Sequence, residues 1–335
     1  MPEGVVAPGF VNAHSHLELS ALKGKTTGGQ KITGFAKEVM RLRQELNLKT
    51  MIKAASDELE YAFSRGTFFY NDICNNIRFL DFLRSAKHFK GNRFYEMLGF
   101  SAPRDEESIE EAKKVLATDR HAFISPHSYY GSSPEILSFV REFARLTTLT
   151  IHLLENSDEE NLAFEKGDIF EFLKEINAYE EHETLLNKDI LEYLYNLGIL
   201  SFKKLFLTHL VHANKKHMDF LNNRLPHAAW VLCMRSNDFI GEKRENWGLM
   251  QKTPLRLLIG TDSAASSPDV SILDEIYAIY KKGHFSEKQL FRAATFSAYE
   301  YLEIPVSRVP YFFYPDVSPS IESLISVKNA KILRG

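Results

Sequence analysis

The stretch PGFVNAHSHLELS, residues 8–20, carries an apolar run that ends in two histidines spaced one apart. Residues i and i+2 of a strand point to one face, so His14 and His16 are placed to present two imidazoles to a single ion. Imidazole suits zinc, iron and similar metals. Alone, the pair reads equally well as two satisfied histidines at a strand end. The residues just past the run separate two architectures. An open doubly wound sheet puts a glycine-rich phosphate loop after its first strand, and HSHLELSALKG (14–24) is not one.

Working outward, eight apolar runs recur: 4–14, 66–73, 93–101, 121–128, 149–155, 205–211, 228–236 and 255–263. Between them lie segments of helical periodicity, such as PEILSFVREFARL (134–146), KKHMDFLNNR (215–224) and SILDEIYAIYKKG (271–283). Apolar strands alternating with helices imply parallel strands joined by crossovers, because a parallel sheet must be covered on both faces. Eight such units fit a (β/α)8 TIM barrel, whose usual size is ~250 residues. The barrel is expected over 1–303. The segment 156–204 is long for one crossover, and extra helices near 167–198 are expected there as a lid or a dimer surface. Past residue 303 the chain turns rich in Pro, Ser and aromatics, so 304–335 reads as a short irregular tail ending in one or two strands.

A net charge of −3 over 335 residues gives no electrostatic reason to expect nucleic acid or an anionic membrane as partner. The two cysteines, Cys74 and Cys233, lie far apart and form no CxxC, which favours a reducing compartment. No apolar stretch reaches the ~20 residues of a membrane helix. The N-terminus lacks a secretory pattern, so the cytoplasm is the expected location.

Six of the twelve histidines, His14, His16, His127, His152, His209 and His212, fall at or just past the C-terminal ends of the runs. Barrel active sites sit at that face. The other six, such as His88, His182 and His284, read as solvated. Glu155 follows His152 by three in TIHLLENSDEE (150–160). Asp262 follows an apolar run and a glycine in LLIGTDSAAS (257–266), where a lone carboxylate is costly unless paired or metal-bound. His14, His16, His152 and Asp262 thus supply three nitrogens and one oxygen at one barrel mouth. A catalytic metal centre needs about three or four ligands and an open position.

PGFVNAHSH, IHLLENSDE, THLVHA and GTDSAAS, in this order, resemble the signatures of the metal-dependent amidohydrolase superfamily in its deaminase and chlorohydrolase branch. The resemblance runs from residue 5 to about residue 303. Within that branch HSHLELS, PHSYYGSS, HLLENSDEENLAFEKG, LCMRSNDFIGEK and GTDSAASSPDVSILDEI are most similar to aminodeoxyfutalosine deaminases of the menaquinone pathway. The resemblance implies one divalent metal ion, zinc ahead of iron, held by His14, His16, His152 and Asp262. Binuclear members carry a bridging lysine on the fourth strand, where ISPHSYY offers His127 instead. A metal held there would activate water for attack on an electron-poor ring carbon bearing an amine. Glu155 would pass a proton to the ring nitrogen, Asp262 would help deliver one to the departing ammonia, and His209 would hydrogen-bond the water.

His127 is expected at the substrate, and Glu18 at a sugar hydroxyl or in a structural salt bridge. His212 is expected near the substrate or at a helix start. Ser236 and Asn237 match a Ser-Asn pair that follows the seventh strand in the branch, although LCM before them departs from the usual HCP. Asp72 and Cys74 read as structural, and Phe68, Phe69 and Tyr70 as core. Family members carry a further segment before the first strand that pairs with a C-terminal segment in a small β-sandwich. The tail 304–335 reads as a remnant of it. The implied function is hydrolytic deamination of an aminated purine nucleoside-like small molecule, 6-amino-6-deoxyfutalosine foremost. The alternatives are a guanine, adenosine or S-adenosylhomocysteine type deaminase, another amidohydrolase reaction, or a non-catalytic barrel scaffold.

Overall fold

The computed structural model describes residues 3–99, 101–145, 147–179 and 189–333. Its strands are β1 (Gly4–Pro8), β2 (Phe10–Ser15), β3 (Thr67–Cys74), β4 (Gly91–Met97), β5 (Ala122–Pro126), β6 (Thr148–Leu153), β7 (Lys204–His209), β8 (Ala229–Leu232), β9 (Arg256–Ile259), β10 (Tyr311–Pro315) and β11 (Lys331–Leu333). β2 to β5 form one four-stranded parallel sheet in chain order, and β6 to β9 form another. Parallel bridges between Ser128 and His152 and between Ser15 and Asp262 join the two into a closed barrel.

The strand composition explains the closure. Every residue of β2, β6 and β8 is buried, as strands covered by both barrel interior and helices must be. The helices supply the outer layer. Helix Leu48–Ser64 starts at Asn47, whose side chain accepts from the Thr50 N–H at 3.0 Å, and buries Met51, Ala55, Leu59 and Ala62 along one face. Helix Pro134–Phe143 is capped by Ser133 with proline in its first turn.

The first apolar run is not one strand. It breaks at Pro8–Gly9, where β1 leaves the barrel and pairs antiparallel with β10, which pairs in turn with β11. Pro8 has no N–H to give a ladder. The Gly9 N–H turns to the Pro310 carbonyl at 2.8 Å, and the Phe10 N–H then enters the barrel through Gly66 O, also at 2.8 Å. The tail therefore makes a small three-stranded sheet with the chain start.

Several other runs reach further in sequence than in structure. RFYEMLGFS stops pairing in its ladder at Met97, LFLTHLV at His209, AAWVLCMRS at Leu232 and LRLLIGTDS at Ile259. After β6, β7 and β9 the cause is backbone conformation at the mouth. Leu154, His209, Leu210 and Asp262 have φ of 51°, 77°, 51° and 59°, a left-handed region that cannot continue a strand. Helix Met234–Ile240 takes over after β8.

Helices Gly167–Glu175 and Ile190–Asn196 occupy the long crossover. Residues 180–188, His182 among them, lie outside the described residues, so the expected lid is described only in part. His217 corrects the reading of the remaining histidines as solvated. It is 1% exposed because it completes the capping box of helix Lys215–Arg224 with Asn214. Among the described residues no helix is long and apolar enough to cross a membrane.

Candidate metal centre

Each metal-ligand candidate has one ring nitrogen engaged by the barrel and the other left bare. The His152 Nδ1–H donates to the His127 carbonyl at 2.8 Å. The His16 ring donates to the Ile73 carbonyl. His14 Nδ1 lies 3.3 Å from the Thr208 hydroxyl. The Nε2 atoms then face one another: His152 to His14 at 3.1 Å and His152 to His16 at 3.2 Å. Burial, reinforced at His14 by the neighbouring imidazoles, lowers all three, His16 and His152 to about 4. They stand neutral at pH 7, as ligands must.

Two bare nitrogen lone pairs 3.2 Å apart repel unless a cation lies between them. Nitrogens 2.0–2.1 Å from a tetrahedral zinc are about 3.3–3.4 Å from one another, so the spacing fits such an ion. The Oδ1 of Asp262 is 4.0 Å from His14 Nε2 and 3.8 Å from His16 Nε2. Its Oδ2 is held from behind by the hydroxyls of Ser236 at 2.5 Å and Ser266 at 3.2 Å. Such outer partners orient ligands.

Beside this centre, Glu155 Oε1 lies 3.3 Å from His209 Nε2. The Asn237 amide donates to His209 Nδ1 at 3.0 Å. The His209 carbonyl accepts from Trp230 Nε1 at 3.0 Å and from Arg244, whose guanidinium lies over the rings of Trp230 and Trp247. Burial first, then Asp262, pushes the Glu155 carboxyl well above its usual range. A raised carboxyl beside a metal site is the type of group that serves as a general acid and base.

The centre forms the floor of a cavity of about 650 Å³ that opens at the C-terminal end of the strands. His127 and Glu18 line it. Glu18 Oε1 meets Arg43 at 3.3 Å, and its Oε2 is buried without a partner. Ser236 and Asn237, expected at the substrate, instead hold Asp262 and His209 from behind. His212, also expected there, is not part of the lining. The left-handed residues His209 and Leu210 turn it towards Glu242, which accepts from its Nε2 at 2.8 Å. Asp72 accepts from Ser15 Oγ at 2.7 Å and from the Leu17 N–H at 2.9 Å, fixing the turn after the HxH.

Sequence reasoning missed Glu96, Arg43, Glu159 and Glu242. Glu96 lines the cavity 3.6 Å from His152 Nδ1, and its Oε1 has no hydrogen-bond partner. A lone acid near the end of RFYEM was the available signal, by the same logic that found Asp262. A second cavity, about 560 Å³, opens at the opposite strand ends among Arg84, Arg93, Arg120 and Arg145, and shares none of these groups.

A parallel eight-stranded barrel with three imidazoles and a carboxylate gathered at its C-terminal mouth defines the class of metal-dependent barrel hydrolases. The amidohydrolase family model matches residues 5–309, and the chain belongs to that family. It is 22% identical to the 5′-deoxyadenosine deaminase of Methanococcus aeolicus, over 81% of this chain and 61% of that protein. To the 5-methylthioadenosine/S-adenosylhomocysteine deaminase of Thermococcus sibiricus it is 26% identical, over 87% and 66%. The chain thus spans less than two thirds of the length of these curated relatives. Helicobacter pylori aminofutalosine deaminase, solved with methylthio-coformycin, superposes with a TM-score of 0.81 at 19% identity, covering 99% of this chain and 87% of that one. A Xanthomonas campestris adenosine deaminase with bound zinc gives 0.75 at 17% identity, covering 98% and 79%.

Proposed function

We propose that the chain is a metal-dependent hydrolytic deaminase of an aminated purine nucleoside, with 6-amino-6-deoxyfutalosine in the route to menaquinone as its substrate. The observation that carries the reading is the grouping of the buried Glu155 carboxyl with His209 and Asp262 beside three bare imidazole nitrogens. His14, His16, His152 and Asp262 would hold one divalent ion, zinc ahead of iron, which supplies Lewis acidity and a water that ionises near pH 7.

The chain's own residues do the rest. His209, fixed by Asn237, and Asp262, fixed by Ser236 and Ser266, orient the attacking water. As its oxygen bonds to the ring carbon, Glu155 delivers a proton to the adjacent ring nitrogen and recovers one from the water. Asp262 relays the second proton to the exocyclic amine. The carbon–nitrogen bond then breaks, ammonia leaves, and the carbonyl forms.

The cavity supports a nucleoside with a large 5′ substituent. Ile32, Phe35, Val39 and Phe172 give the lining apolar surface, and Arg43 and Arg104 add cationic groups to it. That combination suits an aryl group bearing a carboxylate. The names of the curated relatives favour a second reading, 5′-deoxyadenosine or 5-methylthioadenosine as substrate.

The test is ammonia release by metal-loaded protein on aminodeoxyfutalosine, 5′-deoxyadenosine, methylthioadenosine, adenosine, S-adenosylhomocysteine and guanine in parallel. Turnover of the first alone supports the proposal, and preference for another keeps the chemistry but replaces the substrate. Silence on all, with one ion bound per chain, refutes the deaminase. Glu155→Gln is expected to keep its ion and lose turnover.

A further inference from the structure

Three backbone N–H groups in the turn after β6 converge on one side chain that the proposed chemistry does not use. Glu159 is 0% exposed. Its Oε2 accepts from the Leu154 N–H at 2.8 Å, and its Oε1 accepts from Glu155 at 2.6 Å and Asn156 at 3.1 Å. Both carboxyl oxygens are thus taken up by backbone donors. The residue at the centre of this turn is Leu154, with φ of 51°. Leucine adopts that conformation only where its surroundings over-determine it.

The surroundings do so from both sides. The Leu154 carbonyl accepts from the His212 N–H at 2.9 Å and the Leu153 carbonyl from Leu210 at 3.0 Å, tying the turn to the end of β7. The Asn156 side chain reaches Glu242 at 3.2 Å. Glu159 closes the remaining side. It does not line the cavity, and it touches the backbone of the acid rather than its carboxyl.

We propose that Glu159 is a positioning residue: by gripping three consecutive N–H groups it fixes the left-handed turn and so the direction in which Glu155 points at His209 and Asp262. The role given to Glu155 rests on the deaminase reading; the grip itself does not.

Glutamine has one acceptor oxygen where glutamate has two, so in Glu159→Gln an NH2 faces a backbone N–H and at least one of the three bonds is lost. A misplacement of about 1 Å in an acid/base group costs on the order of 10²-fold in rate. The experiment compares wild type, Glu159→Gln, Glu155→Gln and the double variant as holoenzymes. It reads kcat, KM, bound metal and amide hydrogen exchange at 154–156. The expected result for Glu159→Gln is a kcat lower by about 10²-fold, KM little changed, one ion retained and faster exchange. In the Glu155→Gln background the second substitution should add no further loss, because residues acting through one group are not additive.

Full kcat in folded Glu159→Gln, or losses that multiply in the double variant, would overturn the proposal. Should Glu159→Gln not fold, Glu159→Asp keeps both oxygens on a shorter stem. An intermediate kcat then supports the idea, and full kcat refutes it. Should the wild type deaminate none of the nucleosides, the deaminase reading fails and exchange alone judges the grip. Faster exchange at 154–156 with the ion retained upholds it, and unchanged exchange refutes it.

Discussion

Replacing Arg235 by methionine isolates what holds the segment after β8 in place. The guanidinium, its side chain 12% exposed, donates from Nε to Glu275 at 2.7 Å and from Nη2 to Asp269 at 3.0 Å. Glu275 is completely buried and also accepts from the backbone N–H groups of Met234 at 2.6 Å and Arg235 at 3.1 Å. Arg235→Met removes the cation and leaves that carboxylate buried with two backbone donors. Breaking one side of a buried ion pair costs about 3–5 kcal/mol. The two N–H bonds that survive place the expected loss near the lower figure, about 3 kcal/mol. Glu275→Leu is expected to cost more, because it strands the cation and both N–H groups together.

The assay is urea unfolding of the metal-loaded protein, followed by the fluorescence of Trp230 and Trp247. Ser236 and Asn237 follow Arg235 directly and hold Asp262 and His209, so the proposed turnover should fall with stability. A loss below about 1 kcal/mol for Arg235→Met, the value of an exposed pair, would refute the reasoning.

Gly260→Ala would set a methyl group 2.8 Å from His14 Cβ and 2.9 Å from Cys233 Sγ, where β9 passes β2. We expect a cost of about 1–3 kcal/mol together with reduced metal per chain, checked by metal analysis of the purified variant. Burial, opposed by its three N–H bonds, pushes Glu159 up to about 7 from an ordinary 4.5. Below pH 4.5 both states hold the proton, and between there and about 7 the folded state alone keeps it. The contribution of Glu159 to stability is therefore expected to fall by up to about 3 kcal/mol as pH rises through that window, then level off. Urea midpoints against pH check this as the difference between wild type and Glu159→Gln, because His16, His152 and Glu155 titrate in the same window and contribute equally to both. Chelation is expected to lower the unfolding temperature as well as stop turnover, since it leaves imidazole nitrogens 3.1–3.2 Å apart unscreened. An unchanged midpoint would mean that no ion had been holding them.

Much of this was legible in the chain. Apolar runs separated by helical periods located all eight barrel strands, because a buried parallel strand has no polar face to disguise it. The one misread run, GVVAPGFVNAH, has uniform hydropathy across a change of partner. Only Pro8–Gly9 marked the break, and its meaning depended on β10, some three hundred residues away. The site divides along similar lines. His14, His16, His152 and Asp262 stood out because costly groups ended apolar runs. Glu159 and Glu242 did not, since an acid within ENSDEE or GEKRE looks solvated until the fold closes over it. His212 sits two residues past a left-handed turn, whose conformation reverses the side a strand pattern would assign.

The two seams of the barrel divide its chemistry. Within each four-stranded sheet neighbouring strands pair in ladders of three or more residues, whereas the sheets meet through the isolated bridges Ser128–His152 and Ser15–Asp262, at the mouth. The N-terminal half-barrel brings His14, His16, Glu18, Glu96 and His127. The C-terminal half brings His152, Glu155, His209 and Asp262. Neither half holds the whole candidate site, and an ion bound as proposed would be shared between them, a rivet across the joint. Any relative slippage of the halves shifts first the distances on which catalysis depends, while the core of each half stays undisturbed. Such a protein is expected to lose activity before it loses its fold.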